Sequence, residues 1–84
     1  MNETQIKEVI INALKRIAPE SSPQTLGPDQ DVRQTLDIDS YDFLMFLVGL
    51  NEALGVEIPE ADYGKLVTLD DIVSYLAARV KVSG

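Results

Sequence analysis

Apolar residues recur along this chain at helical spacing, and the rhythm breaks at prolines, glycines and capping residues. In residues 3–18, Ile6, Val9, Ile10, Leu14 and Ile17 fall on one stripe, with Lys7, Glu8, Lys15 and Arg16 off it. That spacing predicts an amphipathic helix with one buried face. Asn2 can cap its start, and Pro19 forbids continuation. Residues 19–38 hold three prolines and Gly27, which argue against regular structure. So long a connection in a small domain needs a reason. Leu26, Val32, Leu36 and Ile38 are spaced apolar anchors that would pin it across the core, and the last two would fix the position of Ser40.

Residues 40–54 predict the second helix. Asp39 caps it, Asp42 stands three residues on as a carboxylate variant of the capping box, and Gly55 supplies a left-handed residue after its end. At about 100° per residue, Phe43, Phe46, Leu47, Leu50 and Leu54 share one face. Tyr41, Leu44, Met45 and Val48 share another, beside Ser40, and Asp42, Gly49 and Ala53 separate the two. The first face is assigned to the core. The second is expected to be partly exposed; the alternative is that Met45 and Val48 pack under the 19–38 connection. Pro59 suits the first position of a short third segment, Glu60 to Leu66, which Gly64 keeps short. Thr68, with Asp71 as box partner, starts a last helix whose stripe is Leu69, Ile72, Val73, Leu76, Ala77 and Val80. Arg79 and Lys81 near its end complement the helix dipole. With no repeat and no convincing strand alternation, the expected fold is all-α: a four-helix bundle of three main helices and one short third helix, with a long first loop.

Composition narrows the function. The 84 residues suit one domain, 1–84, and 45 % apolar content is too high for a disordered tail. No apolar run approaches the roughly 20 residues that span a membrane, and Met1-Asn2-Glu3-Thr4-Gln5 has no basic signal region. A cytoplasmic monomer is expected, without membrane attachment. The chain has no cysteine and no histidine. Disulfides, thiolate metal sites and Ser-His-Asp or Cys-His catalysis are thereby excluded. A net charge of −7 opposes nucleic-acid binding and favours basic patches on other proteins. Asp29-x-Asp31 and Asp37-x-Asp39 begin like calcium loops, but neither has the later glycine and glutamate that such a loop requires. They are better read as caps and solvated turns, and no metal ligand is assigned.

The candidate site is Asp37-Ile38-Asp39-Ser40-Tyr41-Asp42-Phe43-Leu44. A polar stretch ends there and the most apolar helix begins. Ser40 has no base beside it, so it is a poor nucleophile. It is well placed to be phosphorylated or esterified, because a helix N-terminus offers free N–H groups and a favourable dipole to a phosphate.

Asp39-Ser40-Tyr41-Asp42 before an apolar helix resembles the Asp-Ser-Leu motif of acyl carrier proteins. Leu54-Gly55-Val56-Glu57-Ile58-Pro59-Glu60 is similar to that family's approach to its short third helix, and Thr68 to Leu76 to its last helix. The resemblance implies a carrier and not an enzyme. It implies 4′-phosphopantetheine joined covalently to Ser40 beside Asp39, installed by a phosphopantetheinyl transferase and holding acyl groups as thioesters. It also implies docking of an acyl-ACP synthetase, or of acyltransferase or synthase enzymes, on the face carrying Tyr41, Asp42, Leu44, Met45, Val48 and Glu52. Three positions depart from the family pattern: Tyr41 for leucine, Met45 for a glutamate, and Asn51 for another acid. A docking surface more apolar than in a housekeeping carrier is expected. So is a specialised lipid or secondary-metabolite (polyketide-type) pathway over bulk fatty acid biosynthesis. Tyr41 would shade the entrance to an acyl cavity or stack on a ring-bearing cargo. Since the chain begins and ends near the domain limits, a free-standing carrier is expected. The alternatives are an unmodified protein-interaction module of the same fold and a peptidyl or aryl carrier. Leu36-Asp37-Ile38-Asp39 lacks the glycine-rich approach frequent in the last two.

Overall fold

Asn2 opens the first helix, α1 (Glu3–Ile17), through a full capping box. Its side-chain oxygen accepts the Gln5 N–H at 2.9 Å, and the Gln5 side chain accepts the Asn2 N–H at 3.0 Å. The computed structural model describes residues 2–80, so the expected role of Lys81 at a helix end lies outside the described residues. Ile6, Ile10 and Leu14 of α1 are fully buried, and Val9 and Ile17 flank them half-buried.

The connection after α1 is more regular than its prolines imply. Pro23–Thr25 form a 3-10 turn, with buried Pro23 supplying the preset φ of its first residue. Val32–Thr35 form a one-turn helix, α2, capped by Asp31, whose side chain accepts the Gln34 N–H at 3.0 Å. The Val32 N–H donates to the Val67 carbonyl at 3.0 Å and the Asp70 N–H to the Pro28 carbonyl at 2.8 Å. These bonds satisfy backbone groups that the packed connection would otherwise strand. Leu26, Val32, Leu36 and Ile38 are all buried, as their spacing predicts. The length of the connection thus has a physical reason: it crosses the bundle and is fastened to the start of the last helix.

The next helix is α3 (Ser40–Leu54), and the last is α4 (Leu69–Arg79). α1 packs against both. The core face of α3 is Phe43, Phe46, Leu47 and Leu50, with Leu54 half-buried at its end. The Phe43 and Phe46 rings lie 5.6 Å apart and tilted. Gly55 ends α3 in the left-handed region, at φ 65°, and its N–H donates to the Asn51 carbonyl at 2.8 Å.

Glu60–Lys65 form the short third segment as a 3-10 helix. Pro59 stands immediately before it, not at its first helical position. In α4 the Thr68–Asp71 capping box closes in both directions, at 3.0 and 3.1 Å. Tyr75 is a core residue that the stripe of α4 does not include. Its hydroxyl donates to Asp62 Oδ2 at 2.6 Å, which provides the partner a buried phenol needs. Lys65 and Arg79 sit 3.4 and 3.7 Å from the same carboxylate, and the Arg79 guanidinium lies over the Tyr75 ring at 3.6 Å. The Tyr75 bond and these cations hold the Asp62 carboxyl below its usual range, while burial pushes the Tyr75 phenol up. This cluster clips the 3-10 segment to α4. Among the described residues there is no named strand, only one isolated bridge between Asp31 and Thr68, and no helix long and apolar enough to cross a membrane.

Candidate functional site

Four consecutive residues set the site. Asp37 adopts φ 54°, the only described non-glycine residue in the left-handed region. The Ile38 N–H then reaches back to the Arg33 carbonyl at 2.9 Å, which closes α2 as a helix terminus. Aspartate tolerates this conformation better than most residues. The turn returns Ile38 to the core and leaves Asp39 outside as the cap of α3.

Asp39 Oδ1 accepts the Asp42 N–H at 2.7 Å. The reciprocal half of the expected box is missing: the Asp42 side chain makes no bond to the Asp39 N–H. The α4 box closes because a neutral threonine faces one carboxylate. At α3 both members are carboxylates, and closing the box would press like charges together. Ser40 follows as the first residue of α3, with its side chain exposed. Among the described residues, the Ser40 and Tyr41 N–H groups find no backbone acceptor, as expected of a first turn.

Ser40 opens onto a groove of about 590 Å³ between the start of α3 and the 3-10 segment. Arg33, Tyr41, Leu44, Glu60 and Tyr63 line it with Ser40. The Arg33 guanidinium lies 5.7 Å from the centre of the Phe43 ring, and Phe43 also borders the groove. Chemically the site offers a primary hydroxyl, free amides and a guanidinium fork. That donor set suits one anionic group attached through the serine oxygen. Asp39 is engaged as the cap and the chain has no histidine, which leaves Glu60 as the one carboxylate lining the groove.

The predicted docking residues lie where helical phasing puts them. Tyr41 is 66 % exposed, Leu44 and Met45 each 39 %, and Val48 38 %. Glu52 is exposed one turn further along, and Asp42 is half-buried at the edge of the first turn. The alternative in which Met45 and Val48 are covered by the 19–38 connection is therefore corrected. That connection is fastened to the 67–70 region and leaves them open. Sequence reasoning missed Arg33 and Tyr63. Arg33 carried a signal, as the one basic residue between Arg16 and Lys65. A second groove, of about 300 Å³, runs between α1 and α3 past Val9, Ala13, Met45 and Gly49, and it too was not anticipated.

Residues 5–76 match the family described as phosphopantetheine attachment site. The chain is 34 % identical to an acyl carrier protein of Renibacterium salmoninarum, over 84 % of this chain and 91 % of that protein. It is 29 % identical to an acyl carrier protein of Thermosynechococcus vestitus, over 95 % and 98 % of the two chains. A third, from Campylobacter hominis, is 28 % identical over 86 % and 85 %.

Proposed function

This chain belongs to the phosphopantetheine attachment-site family, with acyl carrier proteins among its relatives, and from that premise we propose that Ser40 bears the arm. Members are carriers and not enzymes, and their covalent cofactor is 4′-phosphopantetheine. When attached, the arm supplies a thiol that holds an acyl group as a thioester. This chain has no thiol of its own.

The observation that carries the Ser40 reading is its geometry. An exposed hydroxyl stands on the first residue of a 15-residue helix, with the preceding aspartate engaged as the cap and a groove beside it. Ile38 and Leu36, both buried, hold that residue in a fixed place. The preceding aspartate is engaged as the cap and the chain has no histidine, so activation of the hydroxyl is assigned to the phosphopantetheinyl transferase. Synthase or acyltransferase enzymes are the other expected partners.

The exposed face supports the finer reading. Tyr41, Leu44, Met45 and Val48 form an apolar patch beside Ser40 on a chain of net charge −7. Partners of this carrier are held by packing there, with Asp42 and Glu52 at the rim adding charge. Such a face fits a specialised lipid or secondary-metabolite pathway.

The test is intact mass after incubation with coenzyme A and a broad-specificity transferase, with Ser40→Ala in parallel. One added phosphopantetheine, lost in the variant, is expected. Addition that persists in S40A would move the site elsewhere. For the docking face, acyl transfer to a partner enzyme is followed as salt is raised. A modest fall is expected; collapse of the rate once the screening length shrinks to about 3 Å, near 1 M salt, would indicate an all-charge contact.

A further inference from the structure

We propose that Arg33 is the positioning residue for the phosphodiester on Ser40, an inference that rests on Ser40 being the attachment point. The arm's phosphate arrives in an acidic neighbourhood. Asp39 precedes Ser40, Asp42 lies in the same helical turn, and Glu60 lines the same groove. A further anion there is repelled unless a cation answers it. The amides and dipole at the start of α3 supply part of that answer.

Arg33 supplies the rest. It is the one basic residue in the segment between Arg16 and Lys65, and the one basic side chain lining the groove. Lys65 and Arg79 are committed to Asp62, whereas Arg33 forms no ion pair and donates no side-chain hydrogen bond among the described residues. Its guanidinium is seated over the Phe43 ring at 5.7 Å. Phe43 lies three residues after Ser40 on α3 and borders the groove with it. The guanidinium thus lines the same groove as the serine with its donors unused among the described residues. A planar fork of this kind matches two phosphate oxygens at once, which a lysine ammonium does not.

The test uses the full chain, loaded with unacylated phosphopantetheine, as wild type, Arg33→Gln and Arg33→Lys. Intact mass first verifies one arm per molecule, absent from S40A. If wild type carries no arm on Ser40, the attachment reading fails and this inference falls with it. With Ser40 loaded, the Arg33 Nε–Hε resonance is expected to shift between the apo and holo wild type, and to revert near 1 M salt, where the screening length is about 3 Å. The phosphorus-31 resonance of holo R33Q should be displaced from wild type, with R33K nearer to wild type. Should the Arg33 resonance stay put on loading, or the phosphorus resonance be the same in all three proteins, Arg33 does not hold the phosphodiester. The wild-type comparison decides the matter even if R33Q folds poorly.

Discussion

The two long faces of α3 are built from similar residues and meet opposite fates. Phe43, Phe46, Leu47 and Leu50 are buried, while Tyr41, Leu44, Met45 and Val48 stand more than a third exposed on the same helix. Propensity does not separate them, since both sets are large and apolar. Cover does. The first face lies in one core cluster with Ile6, Ile10 and Leu14 of α1. The connection that might have covered the second is fastened through Pro28 and Val32 to the start of α4. An apolar set left open beside an exposed serine is a cost to the isolated fold, which is why a docking role is proposed for it.

The largest effect expected from breaking this contrast is at Phe46, 1 % exposed in the core. Phe46→Ala should destabilise by about 3–5 kcal/mol in urea unfolding, through lost burial and the cavity left behind. A loss near that of a surface substitution would show that the core face is not where the helix is held. Next comes the helix start. Asp39→Ala removes the oxygen that accepts the Asp42 N–H and should cost about 1 kcal/mol. Thr68→Ala, which opens a box closed in both directions, should cost at least as much. The reverse ranking would contradict the half-formed box at α3.

Gly49 sits on the strip between the two faces. A Cβ built there meets nothing within 4 Å, and its φ is not positive. Gly49→Ala should therefore stabilise by roughly 0.5–1 kcal/mol through helix propensity, read as a raised thermal midpoint. A lowered midpoint would mean that the groove between α1 and α3 cannot accept a methyl group. The smallest stability change belongs to the open face. Val48→Ser should stay within about 0.5 kcal/mol of wild type in the same unfolding assay. Acyl transfer with a partner enzyme should nevertheless slow. If stability falls sharply instead, Val48 is part of the core and not of a docking surface.

Much of this molecule was legible in the order of its residues. Asn2, Asp39 and Thr68 each cap a helix as read, and Gly55 ends one, because capping depends on neighbours three and four residues apart. The buried stripes of α1 and α4 follow from helical spacing for the same reason, as does the place of Ser40 at the first turn of α3. Departures from the sequence reading lie in longer-range or balanced interactions. Tyr75 is buried, and its hydroxyl is satisfied there by Asp62, thirteen residues away. Half of the α3 box fails because two carboxylates oppose each other there.

What the sequence by itself determined, then, while the turns of the 19–38 connection escaped it, is the three long helices with their caps, the short third segment, the serine's helical position and the existence of two apolar faces on α3. Those are local properties, governed by the backbone bonds and side-chain contacts of a few successive residues. Only the tertiary structure decided which apolar face is covered, that Asp37 turns left-handed to bring Ile38 inward, and that Arg33 faces the groove beside Ser40. Each of those depends on where a distant segment is fastened, and helical periodicity carries no record of that.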